Sequence, residues 1–146
     1  MIELEIVTPE RRLFKIQCEA AVLPGLDGEF EVLEGHTPVL AALKTGILSI
    51  KKPKNTEEEE EEEGFDFAGN DVYRVMIADG FAEVDAHHVT VICEGAALPS
   101  EVNTESERAL IQQLHDKMKS LSAKDEKEFN IAQAEIERAT VKLALM

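Results

Sequence analysis

The stretch DGEFEVLEGHTPVLAALKTG, residues 27–46, decides the fold class of the chain. It sets short apolar runs between three glycines and one proline, residue types that end strands and form turns. Residues 30–33 and 39–43 are predicted to be short buried strands, and residues 35–38 form the turn between them. The stretch therefore predicts closely spaced β-strands rather than helices.

The same pattern continues on both sides of this stretch. Turns are expected at Pro24-Gly25, at Asp79-Gly80 and at residues 85–88. Short apolar or alternating segments predict further strands at 2–8, 13–17, 20–23, 47–51, 72–78, 81–84 and 89–93. Short strands with turn residues at each joint are typical of an all-β sandwich or barrel. Residues 1–99 are predicted to be a β-sandwich domain.

The periodicity changes to that of helices after Val102. Thr104 and Glu107 have the spacing of a capping box, which predicts a helix start. Two sets of apolar residues then follow helical spacing: Leu110, Leu114, Met118 and Leu121, then Phe129, Ala132, Ile136, Ala139, Leu143 and Met146. Residues 103–146 therefore predict an antiparallel two-helix hairpin, which makes the chain α+β. Its apolar seams could pack on each other and the sandwich, or on a partner.

The acidic segment at about 53–64 contains seven consecutive glutamates, residues 57–63. Because like charges repel and the run has no apolar residue, it predicts an exposed loop inserted into a hairpin. The alternative is a segment that binds basic partners or cations.

Composition narrows the class of partner. The net charge of −15 would repel nucleic acid and anionic lipid, and the 146 residues contain no tryptophan. Neither nucleic-acid binding nor direct lipid insertion is expected. Met1 leads directly into a predicted strand without a signal-like segment, and two cysteines make no disulfide scaffold, so a cytosolic location is expected.

Residues for catalysis are not gathered in any recognisable motif. A phosphate-binding loop, a dinucleotide fingerprint and a nucleophile elbow are all missing from the sequence. Cys18 and Cys93 are predicted to be buried free thiols, and His87-His88 falls in a predicted turn. The expectation is a non-catalytic protein without a metal site or cofactor. A small ligand-binding regulatory β-sandwich is one alternative, and a metal enzyme of cupin type would need several histidines to converge.

Two motifs resemble those of the epsilon subunit of F-type ATP synthases. Residues 28–38 are similar to that family's Gly-Glu-x-Gly-Ile-Leu-Pro-Gly-His-x-Pro segment, with Glu31 and Glu34 in place of Gly and Pro. Residues 78–84 and 89–92 resemble its Gly-Gly-Phe-x-Glu-Val and Val-Thr-Val-Leu patterns, in the same order. A sandwich followed by a helical hairpin is also that family's order of parts.

The resemblance implies a rotor component of the central stalk, peripheral on the cytoplasmic side of the energy-transducing plasma membrane. Its expected partners are the gamma subunit, the polar loops of the c-ring and, through the helices, the alpha/beta hexamer, where the hairpin can restrain ATP hydrolysis. The residues matched to ring or gamma docking are Asp27, Gly28, Glu29, Phe30 and His36. Gly28, Gly35 and Pro38 are expected to hold this stretch as a loop at one end of the sandwich.

The resemblance also brings in a regulatory nucleotide motif on the helices. The family's Ile/Leu-Asp-x-x-Arg-Ala becomes Thr104-Glu105-Ser106-Glu107-Arg108-Ala109 here, and Lys142 replaces a second arginine after Arg138. The candidate nucleotide residues are Glu105, Arg108, Arg138 and Lys142. These departures predict weak ATP binding or none.

Overall fold

A computed structural model describes residues 1–54, 71–122 and 124–146 of the chain. The acidic run at 57–63, and the loop predicted for it, lie outside the described residues. The described strands and helices are β1 (Ile2–Val7), β2 (Arg12–Cys18), β3 (Ala20–Gly25), β4 (Gly28–Leu33), β5 (Val39–Leu43), β6 (Gly46–Lys51), β7 (Val72–Val84), β8 (His88–Ala97), the short 3-10 helix Pro99–Glu101, α1 (Thr104–Ser120) and α2 (Glu126–Ala144).

The strands are hydrogen-bonded in the order β2-β1-β8-β7-β5-β3-β4, and β6 pairs with both β3 and β7. Strands β1 and β8 run parallel, whereas the other pairs are antiparallel. The strands form a β-sandwich, and the two helices follow it in the chain. The predicted α+β fold, with an N-terminal sandwich and a C-terminal hairpin, is confirmed.

Strand β7 joins the two parts of the fold. Four consecutive residues of it, Val75 to Ala78, are buried because both of its faces are covered there. Val75 and Ile77 belong to the sandwich core, whereas Met76 and Ala78 belong to a second cluster under the helices. Beyond Gly80 the core-facing side chains are those at even positions, Ala82 and Val84, instead of those at odd positions.

The turn predicted at Asp79-Gly80 is wrong, since both residues lie inside the single strand β7. The interruption lies on the neighbouring chain segment, where Lys44 and Thr45 separate β5 from β6. The Asp79 carboxylate accepts hydrogen bonds from the Thr45 backbone N–H and hydroxyl, each at 3.1 Å. These hydrogen bonds attach the break between β5 and β6 to β7, which runs past the break as one strand.

Strands β4 and β5 are more exposed than predicted. Only Val32 in β4 and Leu43 in β5 are buried. Strand β4 is at the edge of the sheet order, and one face of β5 has no covering element within the described residues. The break predicted at Pro24-Gly25 is also wrong, because β3 continues through both residues and pairs with β4 to its end.

The core lies between the strands and is built mainly from aliphatic side chains, with Phe14 and two free thiols, Cys18 and Cys93. Fully burying each large aliphatic side chain contributes about 1.5–3 kcal/mol relative to leaving it exposed. The largest fully buried side chains include Ile2, Leu4, Ile6, Leu13, Ile16, Leu23, Leu48, Ile50 and Ile77.

The helical hairpin packs on itself and on the sandwich, through contacts of α2 with β6 and β7. Asn103 caps α1, because its side-chain oxygen accepts a hydrogen bond from the Ser106 N–H at 3.0 Å; the predicted cap at Thr104 is one residue late. The seams are buried in the middle, at Leu114, Ala132 and Ala139. Neither helix of the described ranges is long and apolar enough to cross a bilayer.

Candidate functional site

The predicted docking residues do not form one loop. Asp27 and Gly28 lie at the β3–β4 turn, and His36 lies beyond the far end of β4. Five residue steps along β4, at about 3.3 Å each, separate its two ends by about 17 Å. The expectation that the whole stretch is held at one end of the sandwich is therefore wrong, since the sequence between the two turns is extended.

Two glycines shape the turns at these ends. Gly28 has a φ of 130° and Gly35 a φ of 85°, a region that side chains with a Cβ rarely adopt. A Cβ at either position would meet no atom within 4 Å, so backbone conformation rather than space requires glycine. The β3–β4 turn that results leaves Asp27, Gly28 and Glu29 exposed, with two carboxylates side by side.

A cleft connects the other two predicted docking residues. Phe30 and His36 line an open cleft of about 430 Å³ together with Thr37, Pro38, Val39 and Ala41. The His36 Nδ1 atom lies 2.6 Å from the carbonyl oxygen of Thr37, which orients the ring. The structure thus divides the five predicted residues into an acidic turn, residues 27–29, and a cleft that contains Phe30 and His36.

An apolar surface on the other side of β5 was not predicted from the sequence. Leu40, Phe81 and Ile92 are 69%, 44% and 40% exposed on neighbouring strands. Phe81 is paired with Ala42 in β5 and with Ile92 in β8. We call Leu40, Ala42, Phe81 and Ile92 the outer face. The alternation in residues 81–84, which places Phe81 opposite the core side of the strand, is the sequence signal for it.

Two of the four candidate nucleotide residues form ion pairs within the chain. The Arg138 guanidinium on α2 lies 2.8 Å from the Glu94 carboxylate on β8, and Lys142 lies 3.5 Å from the Glu107 carboxylate on α1. Glu105 and Arg108 are exposed on α1. Sequence reasoning missed Glu94 and Glu107. The predicted antiparallel hairpin brings the start of α1 to the end of α2. It could therefore have indicated that Glu107 lies near Lys142.

A third ion pair ties the turn after β1 to the segment before α1. The Arg11 guanidinium contacts both oxygens of the Glu101 carboxylate, at 2.7 and 2.8 Å. Burial alone would raise the pKa of Glu101, but hydrogen bonds from Arg11 and the Leu98 N–H hold it below its ordinary value. The positive charges of Arg11 and Lys142 contribute in the same direction.

The chemistry of the described residues is that of contact surfaces. Within residues 1–54, 71–122 and 124–146, no three His, Cys, Asp or Glu side chains are placed to hold a metal ion. Burial raises the pKa of the Cys18 thiol to about 11, and that of Cys93 to about 11, so both thiols are neutral near pH 7. Both are therefore poor nucleophiles.

Comparison with known proteins gives the same family from several relatives. Residues 1–61 match the family model described as ATP synthase, Delta/Epsilon chain, beta-sandwich domain. The chain is 32% identical over 143 residues to the ATP synthase epsilon chain of Geotalea uraniireducens, which covers 97% of this chain and 91% of the relative. The epsilon chain of Myxococcus xanthus is 30% identical over 141 residues, with coverages of 97% and 88%.

Two solved structures share the fold. A chain in the cryo-EM structure of Euglena gracilis mitochondrial ATP synthase, OSCP/F1/c-ring, has a TM-score of 0.72 and 18% identity, covering 98% of this chain and 79% of that chain. A chain in the Tetrahymena thermophila mitochondrial ATP synthase central stalk/c-ring structure has a TM-score of 0.55 and 10% identity, with coverages of 99% and 96%.

Proposed function

The chain belongs to the ATP synthase epsilon chain family, and we propose that it joins the gamma subunit to the membrane c-ring as part of the rotor. It is a non-catalytic subunit of a membrane-associated ATP synthase complex, whose catalytic sites lie in other subunits. The gamma and c-ring contacts, and the cytoplasmic side of the plasma membrane as its location, are part of the proposal.

The outer face is the observation that carries this proposal. Leu40, Phe81 and Ile92 place large apolar side chains in water on a sheet face that no other described element covers. Contiguous exposed apolar surface of this kind marks protein–protein interfaces. Val39 and Ala41 of the same strand line the cleft with Phe30 and His36, on the opposite side of β5 from Leu40 and Ala42. We assign the outer face to the gamma subunit and keep the cleft as a second candidate contact.

The acidic turn suits a second partner. The Leu26 N–H donates a hydrogen bond to the Ala42 carbonyl oxygen at 2.9 Å, which holds the β3–β4 turn beside the outer face. Asp27 and Glu29 can therefore contact polar loops of the c-ring while the outer face contacts gamma. A packed sandwich between the two contacts transmits torque because protein interiors have low compressibility.

The hairpin gives the proposal its regulatory part, a contact with the alpha/beta hexamer that restrains ATP hydrolysis. Reaching the hexamer requires the helices to leave the sandwich. The apolar contact they would give up is small, formed by Met76, Ala78 and Ala97 with Val102, Val141 and Leu145. Elements with few buried apolar contacts are the ones that open locally at low cost in free energy.

The experiment that tests the gamma assignment is a binding measurement with purified gamma subunit. Phe81→Ala should weaken binding about tenfold or more, because aromatic side chains at the centre of an interface dominate its energy. Ile131→Ala is the matched control, since Ile131 is a large apolar residue with 52% exposure on α2. Circular dichroism melting should show both variants folded.

Equal affinity of the Phe81→Ala and Ile131→Ala variants for gamma would contradict the assignment of the outer face. Weakened binding by Ile131→Ala alone would move the gamma contact to α2. The rotor proposal would then lose the observation that carries it.

A further inference from the structure

The hairpin is attached to the rest of the chain by a small apolar contact and by ion pairs. The apolar contact consists mainly of alanine and valine side chains around Met76. Small side chains bury little area, so this contact alone contributes little free energy compared with the sandwich core. An ion pair between the hairpin and the sandwich can therefore contribute a measurable share of the attachment.

The first charged contact joins helix to strand directly. Arg138 on α2 donates a hydrogen bond to the Glu94 carboxylate on β8 at 2.8 Å. The two residues are 44 positions apart, so the bond connects the hairpin to the sandwich. Glu94 is 67% exposed, which means that dissolved ions reach this pair and screen it.

The second ion pair lies within the hairpin and joins its two helices. Lys142 lies 3.5 Å from Glu107, whose side chain is only 15% exposed. The Glu107 Oε2 atom is buried and has no hydrogen-bond partner among the described residues, so Lys142 is the main compensation for this carboxylate. Lys142 also acts electrostatically on Glu101, which is bonded to Arg11 beside the sandwich.

We propose that the pair Arg138–Glu94 forms an ionic latch that holds the hairpin on the sandwich without any bound nucleotide, and that ionic strength opens it. The pair Lys142–Glu107 holds the two helices of the hairpin together. Two carboxylates of the chain itself thus occupy two of the candidate nucleotide cations, Arg138 and Lys142. This inference concerns the isolated chain and does not depend on the rotor assignment, so either can fail without the other.

The direction of the salt effect is diagnostic for this chain. With a net charge of −15, the acidic groups of the chain repel one another. Added salt would normally favour the compact form by screening that repulsion. The ionic latch predicts the opposite for the hairpin, because salt screens the attraction between the paired groups. Undocking that increases with sodium chloride therefore points to the latch and not to general screening.

The experiment measures hairpin docking by energy transfer between dyes on exposed positions 10 and 133, introduced as Glu10→Cys and Gln133→Cys. Cys18 and Cys93 are buried and will not take up dye in the folded chain. Transfer is followed from 20 mM to 500 mM sodium chloride. Loss of the Arg138–Glu94 pair should raise the ratio of undocked to docked hairpin about two- to fivefold, the range expected for partly exposed ion pairs.

Variants separate the latch from net charge. Glu94→Gln should raise the undocked ratio and reduce its salt dependence, whereas Glu105→Gln, an exposed carboxylate on α1, should change neither. The swapped pair Glu94→Arg with Arg138→Glu should restore docking. Transfer that does not respond to salt, or an equal response in Glu94→Gln and Glu105→Gln, overturns the proposal.

Discussion

Gly80 of β7 lies so close to Ile92 of β8 that a Cβ at position 80 would overlap the Ile92 carbonyl oxygen, and it would lie 2.7 Å from the Cα of Cys93. Gly80→Ala must push the two strands apart and should cost about 1–3 kcal/mol of unfolding free energy or more, the range for overpacked sites. Urea unfolding of the isolated chain measures this loss.

Gly95 on β8 provides the matched control. A Cβ there would meet only the Ala78 Cβ, at an ordinary contact distance of 3.8 Å. Gly95→Ala should therefore change the unfolding free energy by less than about 1 kcal/mol. Equal losses in the two variants would show that close approach of β7 to β8 is not the reason for Gly80.

Gly80 also shows what the sequence could and could not predict. Apolar alternation and helical spacing gave the strands, the hairpin and their order, because burial on one face produces those periods directly. Asp79-Gly80 has the composition of a turn, yet the glycine is present for close strand packing and Asp79 bonds Thr45. Composition alone does not separate these two uses of glycine.

The prediction of a single docking loop was wrong for a related reason. Turn residues near Gly28 and Gly35 are close in sequence, but the extended strand between them keeps the two turns apart.

The latch was not predicted because Glu94 and Arg138 are 44 residues apart, and in a chain with 30 acidic residues no spacing singles out one carboxylate. Only the packing of α2 on the sandwich selects it.

The two thiols should be unreactive in the folded chain. Burial raises the pKa of Cys18 and of Cys93 to about 11, so almost no thiolate exists at pH 8. A disulfide exchange reagent should modify neither residue in native buffer and both in urea. Because the thiols ionise more easily when unfolded, stability should fall as the pH rises above about 9. Rapid modification of the native chain at pH 8 would contradict this burial.

Glu101 should stabilise the fold at neutral pH but not in acid. Its pKa is held low in the folded chain, so its contribution is present above the unfolded pKa of about 4.3 and is lost as the pH falls through the folded value. Glu101→Gln should lower the free energy of unfolding by about 0.5–1 kcal/mol at pH 7, the range for a partly exposed ion pair. At pH 2 the loss should be much smaller. Denaturant unfolding at the two pH values measures this difference.

The exposed neighbour Glu10 gives the control for Glu101. Glu10→Gln removes the same charge from the turn that carries Arg11, and it should leave the unfolding free energy within about 0.5 kcal/mol. A loss for Glu101→Gln that persists unchanged at pH 2 would mean that packing, not the charge, is responsible.

ATP should bind the isolated chain weakly or not at all. Its phosphates would have to displace Glu94 from Arg138 and Glu107 from Lys142. Titration calorimetry with magnesium ATP should show no micromolar binding, while the Glu94→Gln, Glu107→Gln double variant should bind more tightly because both cations are freed. Micromolar affinity of the unaltered chain, lost on Arg108→Ala or Arg138→Ala, would contradict this prediction.

The acidic turn should matter for coupling rather than for stability. Glu29 is exposed, so Glu29→Lys should leave the melting temperature of the isolated chain nearly unchanged. In membranes carrying the variant complex, ATP-driven ion pumping should fall at least about twofold relative to ATP hydrolysis, because reversing a charge at an interface weakens assembly. Glu10→Lys reverses the same charge outside the turn, and complexes carrying it should pump normally.

His36→Ala tests the cleft separately, since His36 lies at the far end of β4 from Glu29. If Glu29→Lys and His36→Ala both pump like Glu10→Lys, neither the turn nor the cleft contacts the c-ring or the gamma subunit, and residues 27–36 serve only to shape the edge of the sandwich.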